Sequence, residues 1–292
     1  ARKVWQMTRR ATLDLVMTLR RLNIKCQLEE EDSIYFAADP EAGRRLRREY
    51  EARHSAGLQT SWMTGERLYQ ATNLKGYGAL RTRRNAQVDP YRMSLGFAEA
   101  AVKRGALIYE RSGVRGLRFG PKGVDVKTGV GTVRANSVVI ATECLIPTFK
   151  SLARHFRIMN TYAVITPPLP AKMRAQLGDR DAMLWDSQQP YHYLRWTRDN
   201  RILFGGADQL KPPLRQRDKI LVQRTGQLMY ELSTMYPVIS GILPEYGWDG
   251  LVMNTLDGLP LIGPHRNFPR HLFALGYGGN GLTLGFLASR IL

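Results

Sequence analysis

One stretch constrains this chain more than any other: His271-Leu-Phe-Ala-Leu-Gly-Tyr-Gly-Gly-Asn280-Gly-Leu-Thr-Leu-Gly-Phe-Leu-Ala-Ser-Arg290. The apolar run Leu272–Leu275 predicts a short buried strand. The glycines Gly276, Gly278, Gly279 and Gly281 predict a turn, and a helix is expected from about Leu282. Glycine accepts positive φ and lets a ligand approach the main chain closely. The first amides of the following helix, and the positive end of its dipole, face back toward that turn. The stretch is therefore suited to something flat, electron-rich or anionic. It also fits a tight strand-to-helix turn in any α/β domain, and a lone glycine turn does not decide between them.

Two further blocks decide more. One is Thr255-Leu-Asp257-Gly-Leu-Pro260-Leu-Ile-Gly263-Pro, and the other is Val138-Val-Ile-Ala141-Thr142-Glu143. In this order and spacing the three blocks resemble the FAD-dependent amine and amino-acid oxidase family, the group of D-amino-acid oxidase, glycine oxidase and sarcosine oxidase. The resemblance runs in recognisable blocks from about Asn85 to Leu292, and more loosely before that. It implies an α/β protein in which an FAD-binding Rossmann-like domain carries an α+β substrate domain with an antiparallel sheet. It implies cofactor contacts at Val114, Ala141, Thr142, Gly276, Gly278, Gly279, Asn280, Gly281, Leu282 and Thr283. Residues 1–25, 86–150 and 251–292 are expected to form the FAD-binding domain, and residues 26–85 and 151–250 the substrate domain.

A flavoprotein of this type is expected to open with a strand, a G-x-G-x-x-G turn, a helix and an acidic residue for the ribose. The sequence holds no such unit, and its first residues already read as helix. We expect the FAD-binding domain to be incomplete at its N-terminus and read the sequence as trimmed at both ends. The family usually has glycine where Glu143 stands. A glutamate there must turn away from phosphate or bond a ribose hydroxyl.

Composition narrows the alternatives. At 292 residues the chain suits one large or two small domains. No apolar run is long enough to cross a membrane, and no signal peptide is legible. Cys26 and Cys144 lie far apart without metal spacing and read as free thiols of a reducing compartment, so a cytoplasmic protein is expected. The formal charge is +18. Arginine pairs at Arg9-Arg10, Arg20-Arg21, Arg44-Arg45, Arg47-Arg48 and Arg83-Arg84 are scattered rather than gathered with aromatics. That favours a solvated basic surface over a nucleic-acid face. Attraction of anionic substrates stays open.

Along the chain, apolar positions from Val4 to Leu22 recur at 3.6-residue spacing on a basic helix over Lys3–Leu22. A strand is expected over Ser33–Ala38. Asp39-Pro40 should open a helix from Glu41 to Ala56, and Thr64 a short one to Gln70. Asp89-Pro90 should open a helix that Gly105 stops. A strand at Ala106–Glu110, a meander over Arg115–Phe119, Gly123–Thr128 and Gly131–Arg134, and a buried strand at Asn136–Ala141 are expected next. Extended segments follow at Tyr162–Thr166, Met183–Trp185, Tyr191–Trp196 and Ile202–Phe204. One long helix over Lys219–Met235 precedes a strand at Leu243–Leu251.

Alternation on Tyr191-His-Tyr-Leu-Arg-Trp196 puts Tyr191, Tyr193 and Arg195 on one strand face. That face offers apolar walls and one cation for a carboxylate, or is an ordinary half-buried strand with an exposed arginine. Family members acting on small α-amino acids often carry an arginine after a W-x-G-L block, whereas Trp248-Asp-Gly-Leu251 is followed here by Val252. Gly250 stands where sarcosine oxidases attach flavin through cysteine, so the resemblance implies noncovalent FAD. An amine, an N-substituted amino acid or a larger amino compound fits better than glycine. Tyr193, Arg195 and Tyr277 are the expected substrate-positioning residues, with Asn280 beside them. No general base is nominated, because much of the work is orientation. No metal site is expected, and His54, His265 and His271 are read as surface residues.

The expected function is FAD-dependent oxidation of a C–N bond in a small amine or amino acid by hydride transfer, with oxygen or another electron acceptor. The alternative is a non-catalytic remnant or partner subunit that keeps the fold without FAD.

Overall fold

The computed structural model describes residues 2–120, 123–143, 147–178 and 181–292. In chain order its elements are α1 (Arg2–Arg21), β1 (Glu29–Phe36), α2 (Pro40–Ser55), β2 (Ser61–Met63), α3 (Gly65–Thr72), β3 (Ala79–Gln87) and α4 (Pro90–Val102). Then come β4 (Gly116–Gly120), β5 (Gly123–Lys127), β6 (Thr132–Ala135), β7 (Val138–Glu143), β8 (Phe156–Ile165), α5 (Ala171–Arg174) and β9 (Ala182–Asp186). The last are β10 (Tyr193–Trp196), β11 (Ile202–Leu210), α6 (Arg217–Met235), β12 (Tyr246–Thr255), β13 (Leu261–His265), β14 (Phe268–Leu275) and α7 (Gly281–Ile291).

The expected caps form. Asp39 accepts from the Ala42 amide at 2.7 Å, Thr64 from Arg67 at 3.3 Å and Asp89 from Arg92 at 3.0 Å. Each satisfies an amide that the helix itself leaves unpaired.

Eight strands form one sheet in the order β12-β8-β11-β10-β9-β1-β3-β2, antiparallel except where β1 meets β9. One face is a dry core of Ile34, Phe36, Leu184, Leu194, Trp196 and Phe204, covered by Leu228, Met229 and Leu232 of α6. The period of α6 is the reason: its stripe repeats every three or four residues and so stays against the sheet. Burying each such side chain contributes about 1.5–3 kcal/mol.

A second, three-stranded sheet has the order β13-β14-β7, with β7 parallel to β14. It packs around Phe149, Met253 and Phe273. β4, β5 and β6 form the expected meander. Leu15 and Leu19 of α1, Met93 and Phe97 of α4 and Phe286 of α7 make a separate cluster with Cys26.

Three expectations are corrected. Residues 106–110 form no strand; Leu107 and Tyr109 are exposed there. The strand expected to be buried, β7, has only Ile140 buried, while Val139 is 52% exposed. Among the described residues β7 is paired with β14 on one edge only, so its other edge is uncovered, and no strand pairs with residues 106–110. His271 is fully buried rather than on the surface. Its Nδ1 pairs with the Pro269 carbonyl at 2.9 Å, and Phe119, Phe149 and Phe273 surround the ring. Cys26 is a buried free thiol, whereas Cys144 lies outside the described residues.

Candidate active site

The glycine turn follows β14. Gly276 and Gly278 adopt φ of +76° and +55°, where an L side chain is strained. A Cβ on Gly276 would also lie 2.8 Å from the side chains of Phe156 and Thr255. Tyr277 bridges to Asn254 of β12, and α7 starts at Gly281. The Asn280 side chain makes no capping bond, which leaves the first-turn amides of α7 without a side-chain acceptor. Gly279, Asn280, Gly281 and Leu282 are exposed, Thr283 is half-buried, and space beside the Gly281 Cα is open.

The parallel register brings the carboxyl end of β7 to this turn, because Glu143 pairs with Leu275. Ligands of open α/β sheets bind at such carboxyl ends. Ala141 and Thr142 are exposed here. Glu143 takes φ of +59°, a left-handed position that suits the glycine expected there. Burial raises the pKa of its carboxyl, with the Met253 backbone close by, and Oε1 is buried with no partner among the described residues. These residues fit a flavin nucleotide: a helix N-terminus without a side-chain cap, open main-chain surface and a buried carboxylate oxygen with no partner among the described residues. Val114 is exposed in the loop before β4.

Opposite lies the second face of the large sheet. Strand registers set Leu80, Tyr35, Trp185, Tyr193 and Gly205 in one row across five strands. Residues directly opposite each other share a face, so the row is an aromatic floor. The Tyr193 ring occupies the space a Gly205 side chain would need. Thr161 lies near both the Tyr193 phenol and the Asp208 carboxylate. Burial raises the pKa of Asp208, and its Oδ1 finds no partner among the described residues. The Tyr191 ring lies 6.3 Å from that of Tyr193. Burial, with Asp208 and Tyr193 nearby, pushes the Tyr191 pKa up to about 12, so it stays a neutral phenol.

Between floor and turn is a cavity of about 410 Å³. Ser33, Tyr35, Thr82, Trp185 and Tyr191 line it from the sheet side, Trp5 and Arg53 from α1 and α2, and Asn280 from the turn. Behind it, His192 is clamped: Nδ1 meets Asp186 Oδ2 at 2.6 Å and Nε2 meets Glu231 Oε2 at 3.0 Å. The Asp186 Oδ1 atom also accepts from the amides of Gln188 and His192, at 3.1 and 2.9 Å. This clamp holds the segment that carries Tyr191.

The structure brings Asn280 and Tyr191 into the cavity, whereas Tyr193 shares the strand row of Tyr35 and Trp185 without lining it. Tyr277 is held on the β12 side, with Glu143 near enough to act on its charge. Arg195 is engaged elsewhere. Its Nη1 donates to Gln87 Oε1 at 2.6 Å, and it faces Glu31 and Glu29. Trp5, Tyr35, Arg53 and Trp185 escaped sequence reasoning because they come from four separate elements. Only strand register and the packing of two helices gather them.

The profile of the family described as FAD dependent oxidoreductase matches residues 1–292. The chain belongs to this family of FAD-dependent oxidoreductases. It is similar to the probable oxidoreductase OrdL of Haemophilus influenzae, with 25% identity over all of this chain and 66% of that protein. It is similar to the gamma-glutamylputrescine oxidoreductase of Escherichia coli, with 27% identity over 74% of this chain and 49% of that one. The chain thus spans about half to two-thirds of the curated relatives it matches. Its fold is that of the glycine oxidase of Geobacillus kaustophilus, with a TM-score of 0.78 at 21% identity over 99% of this chain and 75% of the other. Among the described residues no group of His, Cys, Asp and Glu could hold a metal ion, and no helix is long and apolar enough to cross a membrane.

Proposed function

We propose that this protein oxidises a C–N bond of a small amine or amino acid, with noncovalently bound FAD as hydride acceptor. The observation that carries the reading is the cavity shared by the aromatic floor and Asn280 of the glycine turn. Its walls suit a small organic substrate, with few polar groups to fix orientation. Bound FAD supplies the two-electron chemistry. Gly276, Gly278, Gly279, Gly281, Leu282, Thr283, Ala141, Thr142 and Val114 are the residues we assign to holding it.

In this reading the first amides of α7 favour negative charge that develops next to them. Tyr191 and Tyr193, as neutral phenols, exclude water and orient the amine. Tyr277 completes the turn side. Arg195, tied to Gln87 outside the cavity, takes no direct part in this reading. We assign residues 1–25, 86–150 and 251–292 to the cofactor half and 26–85 and 151–250 to the substrate half. The eight-stranded sheet is built mainly from the second set of residues and both three-stranded sheets from the first, which supports this. Oxygen or another acceptor takes the electrons, and the low cysteine content supports a cytoplasmic setting, which cell fractionation checks. The homologous gamma-glutamylputrescine oxidoreductase supports an amine donor by its name. The test is anaerobic reduction of the FAD-loaded protein by a panel of amines and amino acids. Bleaching by at least one supports the reading, and no bleaching by any overturns it.

A further inference from the structure

We propose that the groove between α2 and β2 binds a nucleoside phosphate, with Arg44 and Arg48 on the phosphate and the Tyr77 ring against the base. The groove shares no lining residue with the cavity of the candidate active site, so it is a site in its own right.

Arg45, Arg47 and Arg53 of α2 each have an acid one turn away. Arg45 pairs with Glu41 at 2.6 Å, Arg47 with Glu51 at 3.1 Å and Arg53 with Glu49. Arg44 and Arg48 instead stand one turn from each other. Both are exposed, and neither makes a hydrogen bond or ion pair among the described residues. Like charges at this spacing repel and weaken a helix. Both line the groove, whose volume is about 610 Å³. An oxyanion held between them would replace that repulsion with charge-assisted bonds to two guanidinium forks.

Two glycines build the aromatic side. Gly78, at φ of +121°, lets the Trp62 ring lie against the main chain, since a Cβ there would stand 2.4 Å from that ring. Gly43 lets Tyr77 approach α2, since its Cβ would stand 2.9 Å from the Tyr77 carbonyl oxygen. Trp62 and Tyr77 both line the groove. Arg47 already lies over Trp62, 5.1 Å from the ring centroid. Tyr77 is 56% exposed, and no ring or cation stacks on it among the described residues. An open aromatic face beside two uncommitted guanidiniums suits a flat base that carries a phosphate. An acidic peptide would use the arginines and leave Tyr77 bare. The acid lining the groove, Glu51, is engaged by Arg47. The charge of +18 adds a general attraction for anions.

The test is calorimetric titration of the FAD-loaded full chain with AMP, adenosine, inorganic phosphate and a short polyglutamate peptide. FAD fills the cofactor site, so AMP does not enter it. AMP is expected to bind about 10- to 100-fold more tightly than adenosine, the range of a charge-assisted hydrogen-bonded pair. It should exceed inorganic phosphate by about fivefold or more, the contribution of one stacked base. The double variant Arg44→Gln, Arg48→Gln should bring AMP down to the level of adenosine. Tyr77→Ala should bring AMP down to the level of phosphate and leave phosphate binding unchanged. Absent AMP binding in the wild type overturns the assignment, as does AMP binding no tighter than adenosine or phosphate, or binding that survives the double variant. Polyglutamate that binds as tightly as AMP also overturns it and marks the groove as a docking place for an acidic protein. If the double variant does not fold, Tyr77→Ala decides, and AMP binding unchanged in that variant overturns the assignment.

Discussion

The Tyr191 hydroxyl rests against the Cα of Gly279, so closely that a Cβ added there would lie 2.8 Å from the oxygen. This contact joins the Tyr191 side of the large sheet to the glycine turn beside the cavity. Gly279→Ala should push Tyr191 aside, since overpacking of this kind costs about 1–3 kcal/mol. We expect amine-dependent flavin reduction to slow about tenfold, at about 1.4 kcal/mol per decade. Adding Tyr191→Phe removes the oxygen and should restore at least part of the rate. A double variant no better than Gly279→Ala alone would show that the contact does not matter.

Gly205 is predicted to be irreplaceable for a different reason. Any side chain there enters the volume of the Tyr193 ring. Gly205→Ala should destabilise the fold by about 1–3 kcal/mol, read as a lowered melting temperature. An unchanged melting temperature would contradict the ring placement.

His192 predicts a pH dependence. Burial by itself would lower its pKa, but the hydrogen bonds and charges of Asp186 and Glu231 outweigh that, and the net direction is upward. A raised histidine pKa adds stability that is complete below the unfolded value near about 6.5 and is lost as pH rises through the folded value. The melting-temperature gap between wild type and His192→Gln should be widest at mildly acid pH and should narrow as the solution becomes alkaline. A gap that widens with pH would contradict the clamp.

Glu31 behaves in the same sense through another cause. Burial raises its carboxyl to about 7, opposed by the bond from Gln87. The fold therefore prefers the protonated form. Its contribution is complete below the ordinary range near about 4.3 and is lost as pH climbs through about 7. Glu31→Gln should gain on the wild type in thermal stability as pH rises from about 4.3 to about 7, and the gain should level off above that. A difference that stays flat with pH would count against it.

Much of this molecule was legible because its signals are local. The caps at Asp39, Thr64 and Asp89 and the stripe of α6 depend only on neighbours in sequence. So does the face shared by Tyr193 and Arg195, since alternation is intrinsic to a strand. β3 was not legible, because Ala79-Leu-Arg-Thr-Arg-Arg-Asn-Ala-Gln87 is mostly polar and its half-buried places follow from pairing with β1. The strand expected at residues 106–110 read as apolar and extended, yet a strand needs a partner and none of the described residues supplies it. The burial of His271 comes from phenylalanines at 119, 149 and 273, which no window of sequence brings together. In the site, the glycine turn could be read directly. The aromatic floor and Arg53 could not, because they are products of register and helix packing.

The most direct measurement is a visible absorption spectrum of the FAD-loaded protein, before and after anaerobic addition of an amine panel that includes carboxylated members. The account predicts a bound-flavin band that at least one amine or amino acid bleaches. A folded protein that shows no flavin band after FAD is added, or a band that no amine bleaches, would contradict it.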